Sequence, residues 1–171
     1  DNTAGGGGLS ILSPTNDYGT IAFGDRGDNN IGKNSYNHTD HSMRLSTNAS
    51  ERVRITSGGN VGIGEEVPLG KLHIKTADSG ASADGNADEL IIENGTGGQS
   101  AGMSILSATD GDCAIHFGDS GDNDIGKIIY SNNGDNLRCF SNGTETARFG
   151  GYGLLVGRTT FVSSNSQVIQ V

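Results

Sequence analysis

Short runs of the chain alternate apolar residues with small or polar ones at a period of two. Such runs are typical of strands with one buried face. The segments between them are rich in Gly, Asn, Asp and Ser, which favour hairpin turns. No stretch shows the apolar spacing of an amphipathic helix, so the pattern predicts an all-β fold of short antiparallel strands and hairpins. The alternating pairs of the first half are Ile21 and Phe23, Met43 and Leu45, Val53 and Ile55, Val61 and Ile63, and Leu72 and Ile74.

Part of the chain is duplicated. Residues 9–55 recur without gaps 94 positions later, and 20 of the 47 aligned pairs are identical. The run Ile21-Ala-Phe-Gly-Asp-Arg-Gly-Asp-Asn-Asn-Ile-Gly-Lys33 returns as Ile115-His-Phe-Gly-Asp-Ser-Gly-Asp-Asn-Asp-Ile-Gly-Lys127. A repeat of this kind indicates one small structural unit used twice in series. We predict two tandem repeated β modules, residues 1–74 and 90–171, joined by an acidic loop of small residues at 75–89.

The composition provides few apolar residues from which each module could form a hydrophobic core of its own. Apolar residues make up 32% of the chain, aromatic residues 5%, and Trp is absent. The apolar residues nevertheless alternate regularly, which argues against a disordered chain. We therefore favour an arrangement in which several chains share one core, and we expect an obligate oligomer. Six residues are expected to be buried, either within each module or at the seam between chains: Ile21, Phe23, Ile31, Ile115, Phe117 and Ile125.

Charge and cysteine content narrow the class of protein further. The net charge is −9 and no basic patch is visible, so we expect no nucleic-acid partner. No apolar run is long enough to span a bilayer, so we expect no membrane insertion. Cys113 and Cys139 are predicted to be buried free thiols rather than a disulfide. The chain begins at Asp1 without Met, and we expect it to be a segment of a longer polypeptide.

Two acidic loops, residues 24–30 and 118–124, are the strings most like a binding site. Clustered Asp and Asn side chains with Gly between them supply the oxygen ligands that Ca²⁺ prefers. The alternative is a tight hairpin loop whose acidic side chains cap their own backbone. Both interpretations stay open at this point. The candidate Ca²⁺ ligands are Asp25, Asp28, Asn30, Asp119, Asp122 and Asp124.

The sequence marks out no catalytic set. It lacks the Gly-x-Ser-x-Gly nucleophile elbow, the His-Glu-x-x-His zinc motif and a phosphate-binding loop. Glycoside hydrolysis needs two carboxylates placed across a sugar, and no pair among the 20 acidic residues stands out. We therefore expect a protein that is not an enzyme and uses no cofactor beyond a possible Ca²⁺.

Two longer strings resemble a known class of protein. Glu51-Arg-Val-Arg-Ile-Thr-Ser-Gly-Gly-Asn-Val-Gly-Ile-Gly64, followed by Pro68-Leu-Gly-Lys-Leu-His-Ile74, resembles a signature of bacteriophage tail-fibre and tailspike proteins. It is common upstream of an intramolecular chaperone domain of the endosialidase type. The pattern Phe-Gly-Asp-x-Gly-Asp-Asn-x-Ile-Gly-Lys, followed by Tyr, is similar to repeats in fibres of marine phages. The resemblance covers most of residues 9–74 and 102–157.

The resemblance implies an intertwined homotrimer in the virion tail, outside the cell. Its role would be structural and adhesive, with a host surface glycan or receptor and other virion tail proteins as partners. The pairs Glu51–Arg54 and Glu145–Arg148 could then bridge neighbouring chains and fix their register. Two other functions stay open: a bacterial extracellular fibre or adhesin with phage-like repeats, and a polysaccharide-degrading tailspike fragment.

Overall fold

The structure is a computed structural model and describes residues 8–151 and 153–157. Over those residues it is built from strands alone, which confirms the all-β prediction. The same part of the chain holds no helix with the length and apolar character to cross a membrane. The first sheet contains β1 (Tyr18–Phe23), β2 (Gly32–Asn37), β3 (Ser42–Thr47), β4 (Ser50–Ile55), β5 (Val61–Ile63), β6 (Leu72–Lys75) and β7 (Leu90–Glu93). The second sheet contains β8 (Asp112–Phe117), β9 (Gly126–Ser131), β10 (Asn136–Ser141), β11 (Thr144–Gly150) and β12 (Gly153–Val156).

In each sheet, spatial order follows chain order. Strands β1 to β5 pair antiparallel, as do β8 to β12. Strands β5, β6 and β7 pair in parallel. The chain divides into two compact units after Met103, so each sheet lies in a unit of its own.

The boundary predicted at residue 90 falls inside the first unit. Strand β7 pairs with β6 and completes the first sheet, with Leu72 opposite Leu90 and Lys75 opposite Glu93. The acidic segment 75–89 is therefore a connection within one sheet. The reason is topological, since two parallel neighbours need a crossover of about a dozen residues.

Strands β1 to β4 and β8 to β11 have matching registers. Ile21 lies opposite Asn34, and Ile115 lies opposite Ile128, 94 positions further on. The register shifts after Leu45 in one unit and after Cys139 in the other. The following turn has two residues with positive φ in each unit, Asn48–Ala49 (φ 50° and 58°) and Asn142–Gly143 (φ 52° and 68°). Two such residues are what a two-residue type I′ hairpin requires.

One face of each sheet is apolar and uncovered. Cross-strand pairs such as Met43–Ile55 and Leu137–Phe149 place apolar side chains on a single face. Among the described residues, no hydrophobic side chain is buried. In the first sheet this apolar face carries Ile21, Phe23, Met43, Leu45, Val53, Ile55, Val61, Ile63, Leu72, Ile74, Leu90 and Ile92.

The predicted burial within each module is therefore wrong. Phe23 is 62% exposed and Phe117 is 54% exposed, while Ile21, Ile31 and Ile115 are also exposed. Ile125 is half-buried. A single-layer sheet has no second layer to cover its apolar face, so these side chains find no partner within their own unit. Burial at a seam between chains remains a prediction.

Both cysteines are free thiols, as predicted, but they are half-buried rather than buried. Cys113 and Cys139 lie on the uncovered apolar face of the second sheet, in β8 and β10. The Sγ atom of Cys113 lies 3.3 Å from the Ser107 hydroxyl.

Candidate functional site

The first acidic loop is held together by its own backbone. The Asp25 carboxylate oxygen Oδ1 accepts the N–H groups of Gly27 at 2.7 Å and Asp28 at 3.0 Å. The Asp25 N–H donates to the Asp28 carbonyl at 2.8 Å. Asp28 Oδ1 in turn accepts the N–H of Asn30 at 2.9 Å. The two backbone donors lower the pKa of the Asp25 carboxyl below its usual range.

The second acidic loop has the same geometry. Asp119 Oδ1 accepts the N–H groups of Gly121 at 2.7 Å and Asp122 at 3.0 Å, which lowers the Asp119 pKa. Asp122 Oδ1 accepts the N–H of Asp124 at 3.1 Å. The Asp124 carboxylate pairs with Lys127 at 2.6 Å, and this contact lowers the Asp124 pKa. These contacts are those of a tight hairpin loop, in which the acidic side chains accept hydrogen bonds from the backbone of the loop itself.

We expect Ca²⁺ to leave the melting temperature unchanged. One oxygen of each carboxylate, Oδ1 of Asp25 and of Asp119, already accepts two backbone N–H groups and holds its loop closed without an ion. The measurement is thermal melting after EDTA treatment and again in millimolar Ca²⁺, with Mg²⁺ as the control for ionic strength. A ligand that binds only the native state must raise the melting temperature, so a rise with Ca²⁺ alone would assign the loops to the cation.

The opposite face of the first sheet is polar and carries an ion-pair network. Arg54 makes two hydrogen bonds to Glu51, at 2.6 and 2.9 Å, and a third to Glu66 at 3.1 Å. Arg44 pairs with Asp40 and lies 3.6 Å from Glu51. Side-chain bonds from Glu51 hold the Arg54 pKa above its usual value. The network fixes the side chains of β3 and β4 on this face.

The two Glu–Arg pairs, suggested by the sequence as bridges between chains, each form within a single strand. Glu51 and Arg54 both belong to β4 and pair with each other. Glu145 and Arg148 both belong to β11 and pair in the same way, through bonds of 2.7 Å each. The β-bulge at each site explains the geometry, since an extra residue lets positions three apart point to the same face. These bonds occupy both oxygens of each carboxylate.

A shallow cavity lies on the polar face of the first sheet, with a volume of about 580 Å³. We name it the first-sheet hollow. Strand β2 contributes Lys33, which is half-buried, and Ser35, which is buried. The guanidinium of Arg44 lies over the Tyr18 ring, 5.5 Å from its centre, at the side of the hollow. The residues that line it are Asp17, Tyr18, Thr20, Ala22, Asn29, Asn30, Lys33, Ser35, Arg44, Ser46, Ala49 and Glu51.

A buried polar cluster lies where β5, β6 and β7 run in parallel. His73 is completely buried, and its Nε2 atom lies 2.9 Å from a carboxylate oxygen of Glu93. The other oxygen of Glu93 accepts the N–H of Ser79 at 2.6 Å and its hydroxyl at 2.7 Å. Those two bonds lower the Glu93 pKa. Glu65 completes the cluster and pairs with Lys75.

The atoms of Glu65, His73 and Glu93 are close enough to bind a metal ion, since one ligand atom of each lies within 4.8 Å of the others. Two contacts favour a structural network instead. His73 Nδ1 accepts the N–H of Leu69 at 3.4 Å, whereas a metal-bound His normally donates a proton from its second nitrogen. Lys75 also supplies the positive charge that the two carboxylates need, at 3.9 Å from Glu93. These contacts favour a structural role for the cluster, in which His73 is held between neighbouring strands.

Sequence reasoning missed both the buried cluster and the hollow. Neither His73 nor Glu93 belongs to a recognisable metal-binding or catalytic motif. The available signal was the acidic residue that ends the apolar run Leu90-Ile-Ile-Glu93, since a carboxylate there needs a partner. Ser46 and Lys33 carry no motif, and their proximity depends on the pairing of β2 with β3.

Comparison with known proteins identifies no family. No family model matches the sequence, and no curated protein matches it.

Proposed function

We propose that this chain is a structural and adhesive segment of a trimeric phage tail fibre that attaches the virion to the host cell surface. The observation that carries the proposal is the uncovered apolar face on each sheet, with no buried hydrophobic residue among those described. It agrees with the resemblance of residues 51–74 to tail-fibre signatures. The segment is placed in the virion tail, outside the cell, and has no catalytic role.

Further copies of the same chain are the proposed partners of the apolar faces. A face with side chains such as Phe23 and Phe117 exposed is unfavourable in water, and covering each such side chain contributes about 1.5–3 kcal/mol. Identical chains present identical faces, so symmetric association covers all of them at once. Three chains around one axis form the intertwined homotrimer that the resemblance implies. The matching registers of β1 to β4 and β8 to β11 give both units an apolar face of the same kind to cover.

The polar faces then point outward, and they supply the adhesive surface. The face of the first sheet carries the ion-pair network and the first-sheet hollow. Loops on a rigid sheet are the usual carriers of binding function. Three chains present each surface three times, so weak contacts with a host glycan or receptor add through avidity. Other virion tail proteins are proposed as the neighbours along the fibre.

Adhesion is tested with the purified, fluorescently labelled chain and cells of the phage host. We expect the trimer to bind host cells and to slow adsorption of the phage that is added afterwards. The control is a bacterial strain that this phage does not infect. If the trimer neither binds host cells nor slows adsorption, the segment is a passive spacer and the adhesive part of the proposal is wrong. Binding to both strains would favour a general adhesin.

A further inference from the structure

The polar faces of the two sheets carry different residues at several corresponding positions, 94 residues apart in the chain. In the first unit, the cross-strand neighbour of Lys33 is Ser46, and in the second unit the neighbour of Lys127 is Phe140. The neighbour of Arg44 is Ser35, whereas the neighbour of Arg138 is Ile129. The first unit therefore has two hydroxyl groups where the second has an aromatic ring and a branched aliphatic side chain. The space that these large side chains fill in the second unit corresponds to the first-sheet hollow.

The basic residues of this face also differ in their partners. Lys127 pairs with Asp124 at 2.6 Å and lies over the Phe140 ring, 5.5 Å from its centre. At the position that corresponds to Asp124, the first unit has Asn30, which carries no charge. Among the described residues, no carboxylate pairs with Lys33, although this lysine is half-buried. The ammonium group of Lys33 is therefore open to a charge-assisted hydrogen bond with an anionic ligand.

The acidic residues at the rim of the hollow are engaged elsewhere. Both carboxylate oxygens of Glu51 accept hydrogen bonds from Arg54. Asp17 Oδ1 accepts the N–H of Tyr18 at 2.8 Å. The hollow is thus lined by two carboxylates, Asp17 and Glu51, and two basic groups, Lys33 and Arg44, and neither carboxylate forms an ion pair with Lys33.

The remaining lining groups have the chemistry of a sugar site. Thr20, Ser35 and Ser46 carry hydroxyl groups that both donate and accept hydrogen bonds, and Asn29 offers an amide. A sugar ring presents hydroxyl groups in all directions and needs this mixture. A carboxylate on that ring would meet Lys33 in a charge-assisted hydrogen bond, which is stronger than a neutral one.

We infer that the first-sheet hollow binds an acidic sugar residue of a surface polysaccharide, with its carboxylate on Lys33 and its hydroxyl groups on Thr20 and Ser46. The second unit, in which Phe140 fills the corresponding space, has no such site. The inference rests on the proposed adhesive function and specifies the class of ligand that the first unit recognises. It places recognition on the sheet face rather than in the acidic loops.

Two substitutions test the site by giving the first unit the residues of the second. Ser46→Phe fills the hollow with the side chain found at Phe140. Asn30→Asp gives Lys33 the carboxylate partner that Lys127 has, and it removes no side chain. Because the second unit carries both residues in the same register, each variant is compatible with the fold. The matched control is Phe140→Tyr, which changes the second unit alone.

The probes are an oligomer of galacturonic acid, a sulfated galactose oligomer and a neutral glucose oligomer of the same length, titrated calorimetrically into the full-length trimer. We expect the galacturonate oligomer to bind and the neutral one to bind far more weakly. Each variant should weaken galacturonate binding by at least about tenfold, the effect of losing one charge-assisted hydrogen bond. Phe140→Tyr should leave the affinity unchanged.

The possible failures separate this inference from the proposed function. If no acidic oligomer binds, or if both variants bind the galacturonate oligomer as well as the parent chain does, the hollow is not the site. Binding of the sulfated oligomer alone overturns the carboxylate assignment. In all three cases the parent trimer can still bind host cells, and that result alone decides the proposed adhesion. Should Ser46→Phe fail to assemble, Asn30→Asp carries the test, since it changes only an exposed loop residue.

Discussion

Replacing Ile55 by Asp is expected to convert the trimer into single chains. Ile55 lies in the middle of the apolar face of the first sheet, between Met43 and Val61, and is 43% exposed in the isolated chain. A carboxylate there is tolerated in a monomer because water reaches it. At a seam between three chains it would be buried without a partner, at a cost of about 3 kcal/mol or more per chain.

Light scattering on the purified proteins checks this prediction. The parent chain should have three times the 17.5 kDa mass of one chain, and Ile55→Asp should have the mass of one chain. Ser50→Asp, at an exposed position of the same strand, is the matched control and should remain trimeric. A parent chain that melts cooperatively as a monomer contradicts the shared core. A variant that stays trimeric with an unchanged melting temperature shows that the seam lies elsewhere.

Replacing His73 by Phe is expected to destabilise the first unit more than any change of an exposed ion pair. An aromatic ring is kept, but the Leu69 N–H loses its acceptor and the Glu93 carboxylate loses the ring nitrogen that lies 2.9 Å away. Two polar groups left without partners in a buried site should lower the melting temperature by roughly 10 °C. Glu66→Gln is the control, because its carboxylate is 71% exposed and should change the melting temperature by only about 2 °C. Equal melting temperatures for the two variants would contradict a structural role for the cluster.

The pH dependence of melting gives the same prediction a second readout. Hydrogen bonds from Ser79 lower the Glu93 pKa. Burial alone would raise the Glu65 pKa, but the bond from Lys75, the bond from the Val67 N–H and the charge of Lys75 together lower this pKa too. A lowered folded-state pKa means that the stabilisation is complete above the ordinary value of 4.5 and is lost as the pH falls through the lower folded value. The melting temperature should therefore fall below about pH 4.5, and Ser79→Ala should make that fall shallower.

The strands and their apolar face could be predicted from sequence because they depend on local patterns. Alternation at Ile21 and Phe23 fixes both the extended backbone and the face to which the side chains point. The turn at Asn142–Gly143 is likewise encoded by two residues that tolerate positive φ. What alternation cannot specify is the partner of that face. Alternation therefore allowed Phe23 to be buried either within its own module or at a seam between chains. In the single chain this side chain is exposed.

The parallel part of the first sheet could not be predicted, because it depends on contacts between distant residues. The run Leu90-Ile-Ile-Glu93 does not alternate, so it gives no sign of its neighbour or its direction. Only the pairing of β6 with β7 places Glu93 beside His73. The hollow is missed for the same reason. Aligning the two halves shows Ser46 against Phe140, but the strand register is needed to place Lys33 beside Ser46.

The separation of the two faces has a consequence for how such a protein changes over generations. Side chains of the polar face, such as Ser46 and Asn30, share no packing with the apolar face on the other side of the single layer. On the proposed assembly, mutations that alter what the polar face recognises therefore leave the residues of the seam between chains unchanged. The second sheet repeats the strand register of the first, and there Ile129 and Phe140 occupy the positions of Ser35 and Ser46. A lineage can lose a ligand preference in one copy and acquire another without rebuilding its scaffold.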